Sequence, residues 1–517
     1  MLNLKSDVPS KHKFAIVNLA ASDKVIMYGV LVGEAIKPIA AGELLTTDNI
    51  RHQAAPFGSQ TAEYHWLPPD VSRWANRIFE GFFRSDGQVG TRNYWLVVPL
   101  VFCENKNIQV LRQAFEEELG FAPPPRYRQH VAELARLYRE GKIADLDTGV
   151  LSEASSAQNC QPLFENVDGI RFLSHEGGCG GTREDSTNLC GLIAGYIHHP
   201  NVAGATVLSL GCQHAQISIL QAEIRKRNPN FDKPLFILEQ QQSGSGDDMM
   251  RDAIRQTFLG LAEANKFRRS PAPLAKLCVG LKCGGSDGFS GISANPAIGH
   301  TSDLLVALGG RTILSEFPEL CGVEQEFINR SKSKAVGDRF MRLIGDYAAR
   351  AAAVRSPFEM SPSPGNMRDG LLTQAMKSAG AARKGGTSPV AAVLDYPEYS
   401  TQPGLNLQCT PGNDVECVTA QVAAGASAVL FTTGLGTPTG NPIAPVIKLS
   451  TNSALAQRMH DIIDFNTGAI IEGTRTVGQM GEAIFDLVID VASGKIMTKA
   501  ELKAQEDFIP WKRGVSL

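Results

Sequence analysis

Four short apolar runs in this chain end at a cysteine in or beside a glycine-rich turn. Trp95–Phe102 leads to Cys103, Gly169–Gly178 to Cys179, Ala205–Gly211 to Cys212, and Leu277–Lys282 to Cys283. If the runs are parallel strands, all four thiols stand at C-terminal strand ends, where open α/β sheets place their ligands. Soft thiolates gathered at one crevice are suited to iron.

The stretches between these runs fit that architecture. Asn107–Glu118, Gln213–Arg227 and Asp247–Phe267 have helical periodicity, so strands and helices alternate from about residue 78. This alternation predicts βαβ units and mostly parallel sheets. Residues 1–55 differ, with short apolar alternations cut by turns, and predict a small β domain. Residues 56–77, with Pro56, Gly58, Pro68 and Pro69, read as a linker. The breakers Ser270-Pro271-Ala272-Pro273 place a boundary near 269, dividing an α/β domain over 78–268 from a C-terminal α/β domain over 269–517. Further strands are expected at Val390–Leu394, Ala428–Phe431 and Ala469–Ile471.

Composition removes several classes of function. Fifty Lys and Arg against 53 Asp and Glu leave a formal charge of −3, which gives no reason to expect a nucleic acid or an anionic membrane as partner. No apolar run approaches the roughly 20 residues of a membrane span. The polar start Met1–Asp7 lacks a signal-type apolar core, so a cytoplasmic protein is expected. Ten cysteines in 517 residues are too sparse for a disulfide scaffold, and no CxxC pair is present.

The chemistry-bearing residues sit in polar, glycine-rich loops. Cys283 to Gly291 combines a thiol, Ser286, Asp287 and Ser290 with glycines that let the backbone approach a ligand. Ser174 to Asp185 brings His175, a candidate general base, beside Cys179. Arg92, in Gly90-Thr91-Arg92-Asn93, could fork onto a carboxylate. Thr433-Gly434-Leu435-Gly436-Thr437 is neither a Walker loop nor GxGxxG, but suits an anion or a sugar acid.

Taken together, these loops resemble the altronate/galactarate dehydratase family. The likeness runs through Gly29–Ile36, Asp86–Asn93, Gly211-Cys212, Cys283–Asp287 with Ser293–Pro296, Pro362–Asn366, Pro403–Asn406, Pro411–Asp414 and Thr433–Pro438. The resemblance implies a hydro-lyase converting a sugar acid, D-altronate first, to its 2-keto-3-deoxy product, with iron as cofactor. It also implies a small SAF-type β-clip domain ahead of a larger α/β body, and a homo-oligomer. Lys11-His12-Lys13 matches the family's histidine segment in the small domain, which brings in His12. The chain departs from the family at Gly42–Asn49, which has no histidine, and its histidine segment lies unusually near residue 1.

For such a reaction, the expected metal ligands are drawn from Cys103, Cys179, Cys212 and Cys283, as a single Fe(II) or an iron–sulfur cluster. His12, His175 and Asp287 are the candidate catalytic groups. Arg92, Asn93, Ser286, Asn295, Asn413, Thr433, Gly434 and Thr437 are the candidate substrate contacts. Galactarate or a sulfonated hydroxy acid is the alternative substrate. A non-catalytic sugar-acid sensor and a thiol redox sensor are the alternatives to that enzyme.

Overall fold

The computed structural model describes residues 2–61, 63–122, 126–142, 162–514 and 516. Two parallel sheets form the body. The smaller has four strands in the order Gly169–Phe172, Tyr94–Pro99, Val202–Ser209, Leu235–Glu239. The larger has seven, in the order Val390–Leu394, Gly404–Gln408, Arg311–Leu314, Cys278–Cys283, Ala428–Thr433, Val446–Ser450, Phe465–Asn466. All four cysteine-bearing runs are therefore parallel strands, with the thiols at or just past their C-terminal ends.

Strands Tyr94–Pro99 and Val202–Ser209 are buried along their whole length. That is the pattern of a sheet covered on both faces. Helices Asn105–Leu119 and Gly246–Ala264 cover one face, Arg183–His198 and Ile217–Arg227 the other. Residues of both sheets meet in one apolar cluster, with Leu96, Val98, Cys190 and Ile193 beside Val418, Val429 and Phe431. Each such large apolar side chain contributes about 1.5–3 kcal/mol on burial, so the two α/β units share a core.

The small N-terminal β domain has a three-stranded antiparallel sheet, Lys24–Met27, Val30–Ala35 and Ile50–Arg51. It seats on the C-terminal unit through Val32, Ala35 and Ile50 against Ala375, Met376 and Ala379. Lys11 adds ion pairs to Asp369 at 2.7 Å and Asp287 at 3.0 Å. Gly370 permits this approach: its φ is +85°, and a Cβ there would lie 2.3 Å from the Lys11 carbonyl oxygen.

Three sequence expectations shift. Residues 56–77 lie as a strap along the body: Gly58 and Thr61 bond Gln325 and Asn329, and Trp74 buries edge-on against Phe485. Ala469–Ile471 is not a strand; Gly468–Ile470 is a 3-10 turn after the edge strand Phe465–Asn466. Thr467 Oγ1 and N both bond the Ser450 carbonyl and turn the chain away there. The helix placed at Gln213 begins at Ile217, because Gln213 folds back to donate to Ser209 Oγ and the Ala215 carbonyl. At the expected boundary near 269, Ser270–Pro273 pairs antiparallel with Ile78–Phe83.

Candidate active site

The order in which strands are added to the larger sheet reverses at its centre. From Cys278–Cys283 the chain builds strands to one side, Arg311–Leu314 and beyond, then crosses to Ala428–Thr433 on the other. Such a switch point opens a crevice at the strand C-termini. Its two loops are stitched together: Gly284 N donates to the Thr432 carbonyl, and Gly434 N and Leu435 N both donate to the Gly285 carbonyl, each at 3.0 Å. The crevice deepens into a cleft of about 600 Å³ lined by Cys283, Ser286, Glu319, Asn366, Lys377 and Asn413, among others.

Behind this cleft lies a buried charge cluster that the sequence did not announce. Glu316 bonds Lys282 and, at 2.5 Å, Lys384. Glu319 bonds Lys377 at 2.8 Å and lies 3.2 Å from Cys283 Sγ. Lys384 also donates to Cys283 Sγ at 2.8 Å, and Lys282 pairs with Asp414 at 3.1 Å. Burial opposes the Glu319 charge, yet Lys377 and Lys384 hold its carboxyl far below the usual range. Burial also opposes the Lys384 charge, but Cys283 and Glu316 hold it above the usual lysine range. Burial, with Glu319 beside it, pushes the Cys283 thiol up to about 12. Glu316 takes a left-handed backbone, φ +67°, without being glycine. Non-glycine residues tolerate such a conformation mainly where the surroundings fix it, and such positions cluster at functional sites.

Cys283 Sγ and carboxylate oxygens of Glu316 and Glu319 lie within 4.8 Å of one another, a span that a metal ion could bridge. Three ammonium groups already neutralise these donors. An added cation would have to displace them.

The expected site residues divide. Ser286 and Asn413 line the cleft. Asn413 caps helix Asp414–Ala423 through Oδ1 and keeps its amide nitrogen free of partners among the described residues. Thr433 Oγ1 accepts from Gly436 N at 2.9 Å and shapes the facing loop, where Thr437 is half-buried. Gly434 serves packing, since a Cβ there would meet Asp287 Cγ at 2.2 Å. Asp287 is fully buried with both oxygens engaged, by Phe289 N, Ser290 N and Oγ, Thr451 Oγ1 and Lys11. It anchors the loop to the N-terminal domain and leaves no oxygen for substrate.

Arg92 and Asn93 stand at the N-terminal end of strand Tyr94–Pro99, the edge opposite the ligand side. Arg92 forks onto Glu501 at 2.7 and 3.1 Å and also donates to the Thr91 and Val491 carbonyls. Asn93 is consumed by Arg84, Asn166 and Ala264. Asn295 is consumed by Gly380 and Thr432. These three are structural. So is His175: Nε2–H donates to the Pro99 carbonyl, Nδ1 accepts from Gly177 N, and burial lowers its pKa to about 4. His12 Nδ1–H donates to the Ser10 carbonyl, which leaves Nε2 as an acceptor.

The four thiols do not converge. Cys103, Cys179 and Cys212 follow three adjacent strands of the smaller sheet, and all are exposed. Their loops interlock through Phe102 N to the Gly177 carbonyl and Ala215 N to the Gly178 carbonyl. Cys179 lines a second cleft of about 600 Å³, with His175, Asp185 and Trp511. Cys283 belongs to the other sheet and the other cleft. The clefts are neighbours: Trp511 of one packs 5.1 Å from Tyr347 of the other, and Arg350 pairs with Glu184 at 3.2 Å between them.

A switch-point cleft with ammonium, amide and hydroxyl donors defines an α/β protein with a pocket whose chemistry suits a small polar acid. Comparison with known proteins gives that class its family. Residues 1–53 match the altronate/galactarate dehydratase SAF domain, residues 81–265 the D-galactarate dehydratase/altronate hydrolase second domain, and residues 274–516 the D-galactarate/altronate dehydratase C-terminal domain. Altronate dehydratases of Escherichia coli (strain K12) and Bacillus subtilis (strain 168) are each 32% identical over 519 residues, covering 100% of this chain and 94% of theirs. A galactarate dehydratase (L-threo-forming) of E. coli (strain K12) is 29% identical, covering 96% of this chain and 88% of its own. The chain belongs to the altronate/galactarate dehydratase family and is a hydro-lyase.

Proposed function

We propose that the chain dehydrates a sugar acid in the switch-point cleft, with D-altronate as substrate and 2-keto-3-deoxy-D-gluconate as product. One observation carries this reading: among the described residues the cleft lining holds a single cationic side chain, Lys377, paired with Glu319 and set among Ser286, Ser361, Asn366 and Asn413. That set complements one carboxylate followed by hydroxyls. A galactarate would bring a second carboxylate, for which the described lining supplies no second cation.

Abstraction of the C2 proton builds charge on the carboxylate oxygens, and preorganised donors must stabilise it. Lys377 and the Asn413 amide would supply those donors. His12, with Nε2 as acceptor, is the proposed base. The test is an anaerobic comparison of D-altronate with D-galactarate, reading 2-keto-3-deoxy acid. Altronate is expected to turn over at least tenfold faster, and the reverse order would overturn the substrate assignment.

Iron is part of the proposal, held by Cys103, Cys179 and Cys212. Their sulfurs have no other partner among the described residues, and soft donors suit iron. Bound there, iron would supply a Lewis acid toward oxygen. Thiolates on one ion at about 2.3 Å would lie at most roughly 4.6 Å apart. The three sulfurs do not all lie within 4.8 Å of one another. A multi-iron cluster, whose thiolates bind different irons, does not require that closeness and is the form proposed. Anaerobic protein is therefore expected to carry iron with acid-labile sulfide, and Cys179→Ala to lose both. Iron without sulfide would mean a single ion, and unchanged iron in the variant would remove Cys179 from the set.

A further inference from the structure

Cys283 stands apart from the other strand-end thiols in one respect: an ammonium is placed against its sulfur. We propose that Cys283 is the general acid that protonates the departing 3-hydroxyl, with Lys384 as the positioning residue that stabilises the thiolate left behind. The inference rests on the sugar-acid reading of the cleft.

The geometry has three parts. Cys283 closes its strand at the switch point and lines the cleft, so its proton can reach a bound ligand. Lys384 Nζ lies 2.8 Å from the sulfur, itself about 1% exposed and tied to Glu316. Glu319 Oε2, 3.2 Å from the sulfur, accepts the S–H hydrogen bond at rest. That contact keeps the thiol protonated between turnovers. The high thiol pKa agrees with this, since the proton is present at neutral pH.

The proton count balances. The C3–O bond breaks with its electron pair, and the Cys283 proton joins that oxygen to leave as water. The C2 proton passes to the base, and the enol O–H proton is released on ketonisation. Of these two protons, one protonates C3 and the other restores the thiol. Lys384 stays charged throughout and offsets the thiolate by a charge-assisted bond.

The test exploits a leaving group that needs no proton. With the sugar acid identified by the altronate–galactarate comparison, Cys283→Ala is expected to lose at least 100-fold in kcat, the scale of general acid catalysis. On the 3-deoxy-3-fluoro counterpart, where fluoride departs unprotonated, the same variant is expected to stay within about threefold of wild type. Cys283→Ser, which keeps the packing, is expected to show the same split with at least a tenfold loss on the hydroxyl substrate. Lys384→Met is expected to follow it, and Lys384→Arg to recover part of the loss. Equal losses on both substrates, or full activity of either Cys283 variant on the hydroxyl substrate, would overturn the acid role. Wild-type protein that turns over no sugar acid would refute the underlying reading instead, before any variant is compared.

Discussion

Replacing Glu316 with Gln is expected to lower stability by about 3–5 kcal/mol, the cost of leaving a buried charge uncompensated. Two ammonium groups depend on this carboxylate, Lys282 and Lys384, and all three side chains are essentially inaccessible. The substitution keeps shape and volume, so the loss is electrostatic and not a cavity effect. Thermal denaturation should show it as a drop of roughly 10 °C for a domain of this size. Lys282→Met should cost less in the Glu316→Gln background than alone, because the charge removed has then already lost its buried partner and keeps only Asp414. Additive losses, or a shift under 2 °C in the single variant, would mean that solvent reaches the cluster and screens it.

Replacing Lys377 with Met is expected to lower kcat/KM by about 10²–10³, the range for removing one partner of a buried charged contact. Its ammonium has one partner among the described residues, Glu319, and faces the cleft with donors to spare. Loss of the Glu319 contact also affects the fold, so activity alone does not identify the role. The decisive readout is discrimination between the sugar acid and its neutral primary amide. Wild type should prefer the acid strongly, and Lys377→Met should nearly abolish that preference, with Lys377→Arg retaining most of it. A variant that still prefers the acid as strongly would place the carboxylate elsewhere.

The framework of this protein was readable because burial imposes a pattern. Strands covered on both faces must be apolar throughout, and parallel strands must end in loops on one side. The runs before Cys103, Cys179, Cys212 and Cys283 carried that information. Convergence of the thiols did not follow from it, since strand ends say nothing about which sheet a strand joins. Arg92 and Asn93 misled for a related reason: they precede their strand, so they lie at its far edge. The charge cluster was invisible because its members are scattered over separate elements between Lys282 and Asp414, and each looks ordinary alone. One signal was present in Lys282, a lysine inside an otherwise apolar strand, which burial tolerates only with a partner.

The seating of Lys11 on Asp369 spans 358 positions of sequence. The Lys11 segment therefore has to wait until the residues around Asp369 have been made before it can reach its binding surface. Contacts of such high order fold slowly, because loop closure comes before any reward. Premature release from the ribosome would leave the Lys11 segment without Asp369 to land on.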